Sequence, residues 1–185
     1  MFIQTETTPN PATLKFLPGR PVLDGAPLDM RDRAAAAQSP LAERLFDIEG
    51  VSGVFLGADF VAVTKADAEW QHIKPAILGA IMEHFMEGGP LLRDGLEARD
   101  EAEESFDAAD AETVATIKEL IETRVRPAVA NDGGDITFRG FKDGVVFLNM
   151  KGACSGCPSS TATLRHGIEN LLRHFVPDVT EVRAV

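Results

Sequence analysis

A chain of 185 residues, 44% of them hydrophobic, can fill one sizeable core or two small ones. Its formal charge of -11 argues against binding nucleic acid by phosphate neutralisation, which needs a clustered basic face. No apolar run approaches the roughly 18 residues of a membrane span, and the start, MFIQTETTPNPATLKF, has neither the order of a secretory signal nor the Arg/Ser richness of a transit peptide. The only two cysteines, Cys154 and Cys157, stand too close together to staple a fold across distance, so a reducing compartment is expected. A bacterial cytoplasm is the expected location, with a processed mitochondrial matrix protein as the alternative.

In chain order, TLKFLPG and GVSGVFLGADFVAVTK read as strands from their Val and Phe content, with a Gly-Ala-Asp turn inside the second stretch. SPLAERLFDIEG reads as a short helix, with Ser39 as N-cap, Pro40 at the first helical position and Gly50 as stop. Trp70, Ile73, Ile77, Ile81 and Phe85 recur at helical spacing before Gly88-Gly89, and Pro75 falls within the first turns. The expected order of this first part, residues 1–87, is strand, strand, helix, strand, strand, helix.

Residues 88–109 read as a solvated, flexible tether, rich in Gly, Pro and carboxylates and poor in large apolar residues; a helix through its Ala- and Glu-rich part would have only Leu96 and Phe106 to bury. Residues 97–112 hold eight acidic groups and one basic, a net of -7, whereas 113–185 hold nine basic and eight acidic, a net of +1. In residues 110–185, Val114, Ile117, Ile121, Val125 and Ala128 are expected on one helical face that NDGGD ends. DITFRGF and GVVFLNM form a hairpin across Lys142-Asp143-Gly144. After the cysteines comes a helix with an apolar stripe of Leu164, Ile168, Leu171, Leu172 and Phe175, then a closing strand, DVTEVRAV. The fold class is α/β (α+β): two small domains, β-β-α-β-β-α and α-β-β-α-β, joined by an acidic linker, with no internal repeat.

The chemistry concentrates in KGACSGCPSS, residues 151–160. Gly152 and Gly156 let the backbone approach an ion closely, and Pro158-Ser159-Ser160 reads as a helix start with a serine cap. The sulfurs are therefore expected just ahead of a helix N-terminus, where the dipole and free N–H groups favour thiolate. Three readings compete with the bland one of two small residues at a turn. One is a thioredoxin-like dithiol, disfavoured because Pro158 to Val185 leaves only 28 residues, enough for one helix and one strand. The others take two missing ligands from a second copy in a symmetric dimer, giving four thiolates for a 4Fe-4S cluster or for one zinc. NDGGD offers the oxygens of Asn131, Asp132 and Asp135 without the spacing of a calcium loop, and is read as a turn. His72, His84, His166 and His174 show no paired ligand spacing and are given surface or packing roles.

The stretch RPAVANDGGDITFRGFKDGVVFLNMKGACSGCPSSTATLRHGIENLLRHFVPDVTEV resembles the NifU-type C-terminal domain of the Nfu family of iron-sulfur cluster carriers. TPNPATLKF, SPLAERLF and GVFLGADFVAVTK resemble the N-terminal domain that accompanies it. The resemblance implies a non-enzymatic scaffold or carrier whose 4Fe-4S cluster bridges a homodimer, with Cys154 and Cys157 of each chain as ligands. It also implies upstream assembly proteins that supply the cluster and apo-proteins, of aconitase or lipoyl-synthase type, that receive it. The cysteine-free N-terminal domain would help choose those targets.

Overall fold

The computed structural model describes residues 1–93, 103–155 and 158–185, and the chain divides into two units, Met1–Asp100 and Glu101–Val185. No helix among the described residues is long and apolar enough to cross a membrane.

The first unit runs β1 (Gln4–Thr7), β2 (Thr13–Leu17), β3 (Leu28–Met30), α1 (Arg33–Ala36), α2 (Pro40–Phe46), β4 (Val51–Leu56), β5 (Val61–Lys65) and α3 (Trp70–Glu87). Its antiparallel sheet has the order β1-β2-β5-β4-β3. Ser39 caps α2 by accepting from the Ala42 N–H, Pro40 opens the helix, and Gly88 closes α3 with a φ of 69°. Phe16, Met30, Leu41, Leu45, Leu56, Ile77 and Ile81 are wholly buried together, each contributing on the order of 1.5–3 kcal/mol by its removal from water. The expected order lacks a third strand before α2 and the one-turn α1. Three residues, Leu28–Met30, are too few to show a period, and α1 depends on the Asp32 side chain accepting from Ala35 N–H.

The second unit runs β6 (Ser105–Phe106), a 3-10 turn, α4 (Ala111–Leu120), a π turn (Ile121–Val125), α5 (Arg126–Asn131), β7 (Gly134–Lys142), β8 (Val145–Gly152), α6 (Pro158–Phe175) and β9 (Glu181–Ala184). Its sheet has the order β6-β7-β8-β9; β7 and β8 form an antiparallel hairpin, and the two edge strands run parallel to their neighbours. Asp143 and Gly144 both take positive φ, 52° and 79°, as a two-residue hairpin turn of this hand requires. Both long helical runs pack on one face of the sheet, over Ile136, Phe138, Val146, Leu148, Met150 and Val182.

Three expectations change here. The π turn inserts one extra residue into the helical run, so Val129 is buried at 1% exposure where Ala128 was expected, and Ala128 faces solvent. Pro127, which cannot donate to the carbonyl four residues back and clashes with it, accounts for the widened turn just ahead of it. Phe175 lies 46% exposed beside the α6 stripe, its ring under the Arg124 guanidinium. Both described ends of the expected tether are ordered. Leu91 and Leu92 pack on the first core and Arg93 bonds Glu43 and the Ala37 carbonyl. Ser105-Phe106 pairs with Gly140-Phe141, and Lys118 bonds Glu104 at 2.8 Å. Leu96 lies outside the described residues.

Candidate metal centre

Two loops from different parts of the second unit meet at the candidate site. In one, α5 ends at Asn131, Asp132 follows, Gly133 takes a φ of 82° and β7 begins at Gly134. In the other, β8 ends at Gly152 with a φ of 69°, and Ala153, Cys154 and Ser155 lead toward α6. The β7–β8 register sets Gly134 opposite Gly152, and the Ala153 N–H donates to the Gly133 carbonyl at 3.2 Å. The hairpin therefore brings NDGGD and the cysteine loop into contact although about twenty residues separate them.

Gly134 is a requirement of this contact. A Cβ there would stand 2.7 Å from Cys154 Sγ and 2.6 Å from the Lys151 carbonyl oxygen, so only glycine lets the sulfur lie against the backbone. On the far side, Ser155 Oγ and the Ser155 N–H both donate to the Gly152 carbonyl, at 3.0 and 3.1 Å. Thr161 Oγ1 donates to the Cys154 carbonyl at 2.6 Å, tying the loop to the first turn of α6. Pro158 stands at the first position of that helix, and Ser159 and Ser160 are its next two residues.

Cys154 is 6% exposed and its thiol is pushed up to about 12, first by burial and then by the carboxylates of Asp132 and Asp135. This corrects the expectation that it ionises easily: in the metal-free chain, desolvation and two negative neighbours outweigh the helix end. Cys157 lies outside the described residues. No group of three or more His, Cys, Asp or Glu side chains that could hold a metal gathers among the described residues.

The surroundings nonetheless suit a soft metal. Thiolates are the natural ligands of iron-sulfur clusters, metal binding replaces the thiol proton, and the bare Gly134 backbone lets the Cys154 sulfur settle against it. The turn reading of NDGGD agrees with the geometry: Asp135, 4% exposed, accepts from Arg126 Nε and Nη2, both at 2.8 Å, and so is engaged by a cation of the protein itself. His72, His166 and His174 are exposed, and His84 is buried in the first unit with its pKa lowered, chiefly by burial. Residue patterning missed Gly134 and Arg126. The signal for the first was a pair of glycines directly ahead of the strand that pairs with the cysteine strand.

In this α+β unit the cysteine loop leaves the end of a strand, settles against a bare glycine and leads into a helix, a placement shared by thiolate metal sites and by dithiols. The family of Nfu/NifU N-terminal scaffold domains matches residues 3–88, and the NifU-like domain matches residues 117–183. The chain is 48% identical over 187 residues to the human NFU1 iron-sulfur cluster scaffold homolog, mitochondrial, covering 100% of this chain and 72% of that protein. It is 50% identical over 185 residues to NifU-like protein 4, mitochondrial, of Arabidopsis thaliana, covering 98% of this chain and 65% of that one. A solved NifU-like protein from Saccharomyces cerevisiae shares 27% identity at a TM-score of 0.46 over 51% of this chain and 86% of its own, too distant to add to the assignment. The chain belongs to the Nfu/NifU family of iron-sulfur cluster scaffold proteins. Both curated relatives are mitochondrial by name, which overturns the expectation of a bacterial cytoplasm.

Proposed function

We propose that the protein carries a 4Fe-4S cluster bridged between two copies of the chain, each giving Cys154 and Cys157, and that it passes the cluster to apo-proteins without catalytic turnover of its own. The observation that carries this is Cys154 Sγ lying against Gly134 at the head of α6. One chain has two cysteines, and a closed thiolate site takes four ligands. Cluster binding supplies the positive charge that replaces the thiol proton, while Gly134, Thr161 and the Gly133–Ala153 bond hold the Cys154 end of the loop in place. A cluster held by loops at an interface is accessible to an acceptor's thiolates, which a carrier needs.

A dithiol oxidoreductase requires a thiolate near neutral pH, and a Cys154 thiol raised to about 12 is a poor attacking group. The first unit, cysteine-free, is assigned to target choice, with upstream assembly proteins as cluster donors, in the mitochondrion as for the relatives. The test is anaerobic reconstitution with iron and sulfide, reading iron per chain, the Mössbauer spectrum and the mass in solution. About two irons per chain in a dimer with a 4Fe-4S spectrum is the expected result. A colourless zinc-loaded dimer, or a metal-free monomer that reduces disulfides, would overturn it.

A further inference from the structure

Arg126 bonds to Glu122 and to Asp135, and Asp135 lies on the piece of backbone against which the cysteine loop rests. Its guanidinium forks onto Asp135 through Nε and Nη2, both at 2.8 Å, and the Asp135 side chain is only 5% exposed. Asp135 directly follows Gly134, the residue against Cys154 Sγ, and Gly133 accepts from Ala153. Between α5 and β7 the chain has only Asp132 and Gly133, the latter with the freest backbone of any residue type. Backbone bonds from the Asp132 and Gly133 N–H groups to the Val129 and Ala130 carbonyls hold the α5 side of this turn; on the β7 side a two-point planar fork fixes both distance and orientation where a lysine would fix one point. The π turn and Pro127 set where Arg126 leaves the helix.

We infer that Arg126 is a positioning residue for the metal centre: through its fork on Asp135 it pins the Gly133–Gly134 turn, and through that turn the Cys154 sulfur, in the place where cluster binding needs it. This rests on the cluster-carrier reading for its consequence and on the geometry alone for the placement of Cys154. Glu122, the other partner of Arg126 at 2.7 Å, is 60% exposed and serves as the internal control.

The experiment compares the full chain with Arg126→Gln, Arg126→Lys, Asp135→Asn, Glu122→Gln and Val182→Ala. Val182 is fully buried in the same core but pairs with Val146, at the end of β8 far from Gly152, so its truncation lowers stability without touching the turn. Two readouts are taken below the unfolding transition of each protein. One is the rate of iron loss from the loaded protein to a ferrous chelator. The other is iodoacetamide alkylation of Cys154 in the metal-free protein, located by peptide mass at one fixed pH. Loss of the fork should speed iron loss by roughly tenfold, the range seen when ligand-orienting partners are removed. The same change should speed alkylation of a thiol that is now 6% exposed.

Arg126→Lys, which keeps the charge and loses the fork, is measured because an uncompensated Asp135 in Arg126→Gln can unfold the chain. It should fall between wild type and Arg126→Gln, or show the effect alone if the latter does not fold. Glu122→Gln and Val182→Ala should match wild type in both readouts. Equal acceleration in Val182→Ala, or wild-type behaviour of Arg126→Lys and Asp135→Asn together, would overturn the inference. If the wild type takes up no iron, the carrier reading fails, and the alkylation arm still decides whether Arg126 places Cys154.

Discussion

At the scale of single residues, the site depends on one missing methyl group and one buried thiol. Gly134→Ala puts a Cβ where the Cys154 sulfur and the Lys151 carbonyl already stand, and backbone cannot yield as a side chain tip can. It should cost about 1–3 kcal/mol, the range for overpacking, and reduce iron uptake more than its stability loss explains. Urea unfolding of the metal-free protein and iron per chain check the two effects. Cys154, with its thiol pKa raised to about 12 in the folded chain, has a sign that can be tested. The folded state binds this proton more tightly than the unfolded one, so the contribution is full below the unfolded value near pH 9 and is lost as pH rises toward about 12. Wild type should therefore lose stability over that alkaline window more steeply than Cys154→Ala, and parallel curves of thermal midpoint against pH would refute the assignment. The cysteines themselves stood out in the sequence because Gly, Pro and Ser surround them. The raised thiol pKa did not, because it depends first on burial in the folded chain and then on Asp132 and Asp135, some twenty residues earlier.

Among the elements, the helical run from Ala111 to Asn131 shows how a local defect decides what is buried. A regular helix continuing from Ile121 and Val125 brings Ala128 inward; the π turn hands that place to Val129. Val129→Ala should cost about 2 kcal/mol as a buried truncation, while Ala128→Ser on the exposed side should stay within roughly 0.5 kcal/mol. Denaturant midpoints of the two variants check this, and a cheap Val129→Ala beside a costly Ala128→Ser would mean the run is a regular helix. The Pro127 that accounts for this turn is visible in the sequence, but proline signals only that the helix is disturbed, not whether it ends, kinks or widens. β6 has the same lesson in another form. Two residues in an acidic stretch carry no strand signal; they form a strand because Gly140 lets the Ser105 carbonyl approach and Phe138 takes the Phe106 ring at 6.4 Å. A side chain on Gly140 would meet the Ser105 carbonyl at 2.7 Å, so Gly140→Val should release β6. Faster amide exchange at Phe106 and Asp107, with β7 and β8 still protected, is the expected result.

For the whole molecule, the carrier reading makes cluster and dimer one event. Cys154→Ser and Cys157→Ser should each lose colour and dimer together, and a colourless Cys154→Ser dimer would separate the two. Deleting residues 95–100 should leave iron uptake unchanged and slow delivery to an apo-acceptor, if the first unit chooses targets and the segment joins it to the second. The sequence by itself determined the α+β class, the longer helices and hairpins, the cysteine loop and the family, because period, turn chemistry and motif are properties of neighbours in the chain. The tertiary structure alone decided that Gly134 forms the floor under Cys154, that Arg126 clamps Asp135, that Val129 replaces Ala128 in the core, and that the acidic segment lends a strand to the second sheet. Each of these joins residues whose encounter is set by the β7–β8 register and by helix packing, and no local pattern encodes an encounter across that distance.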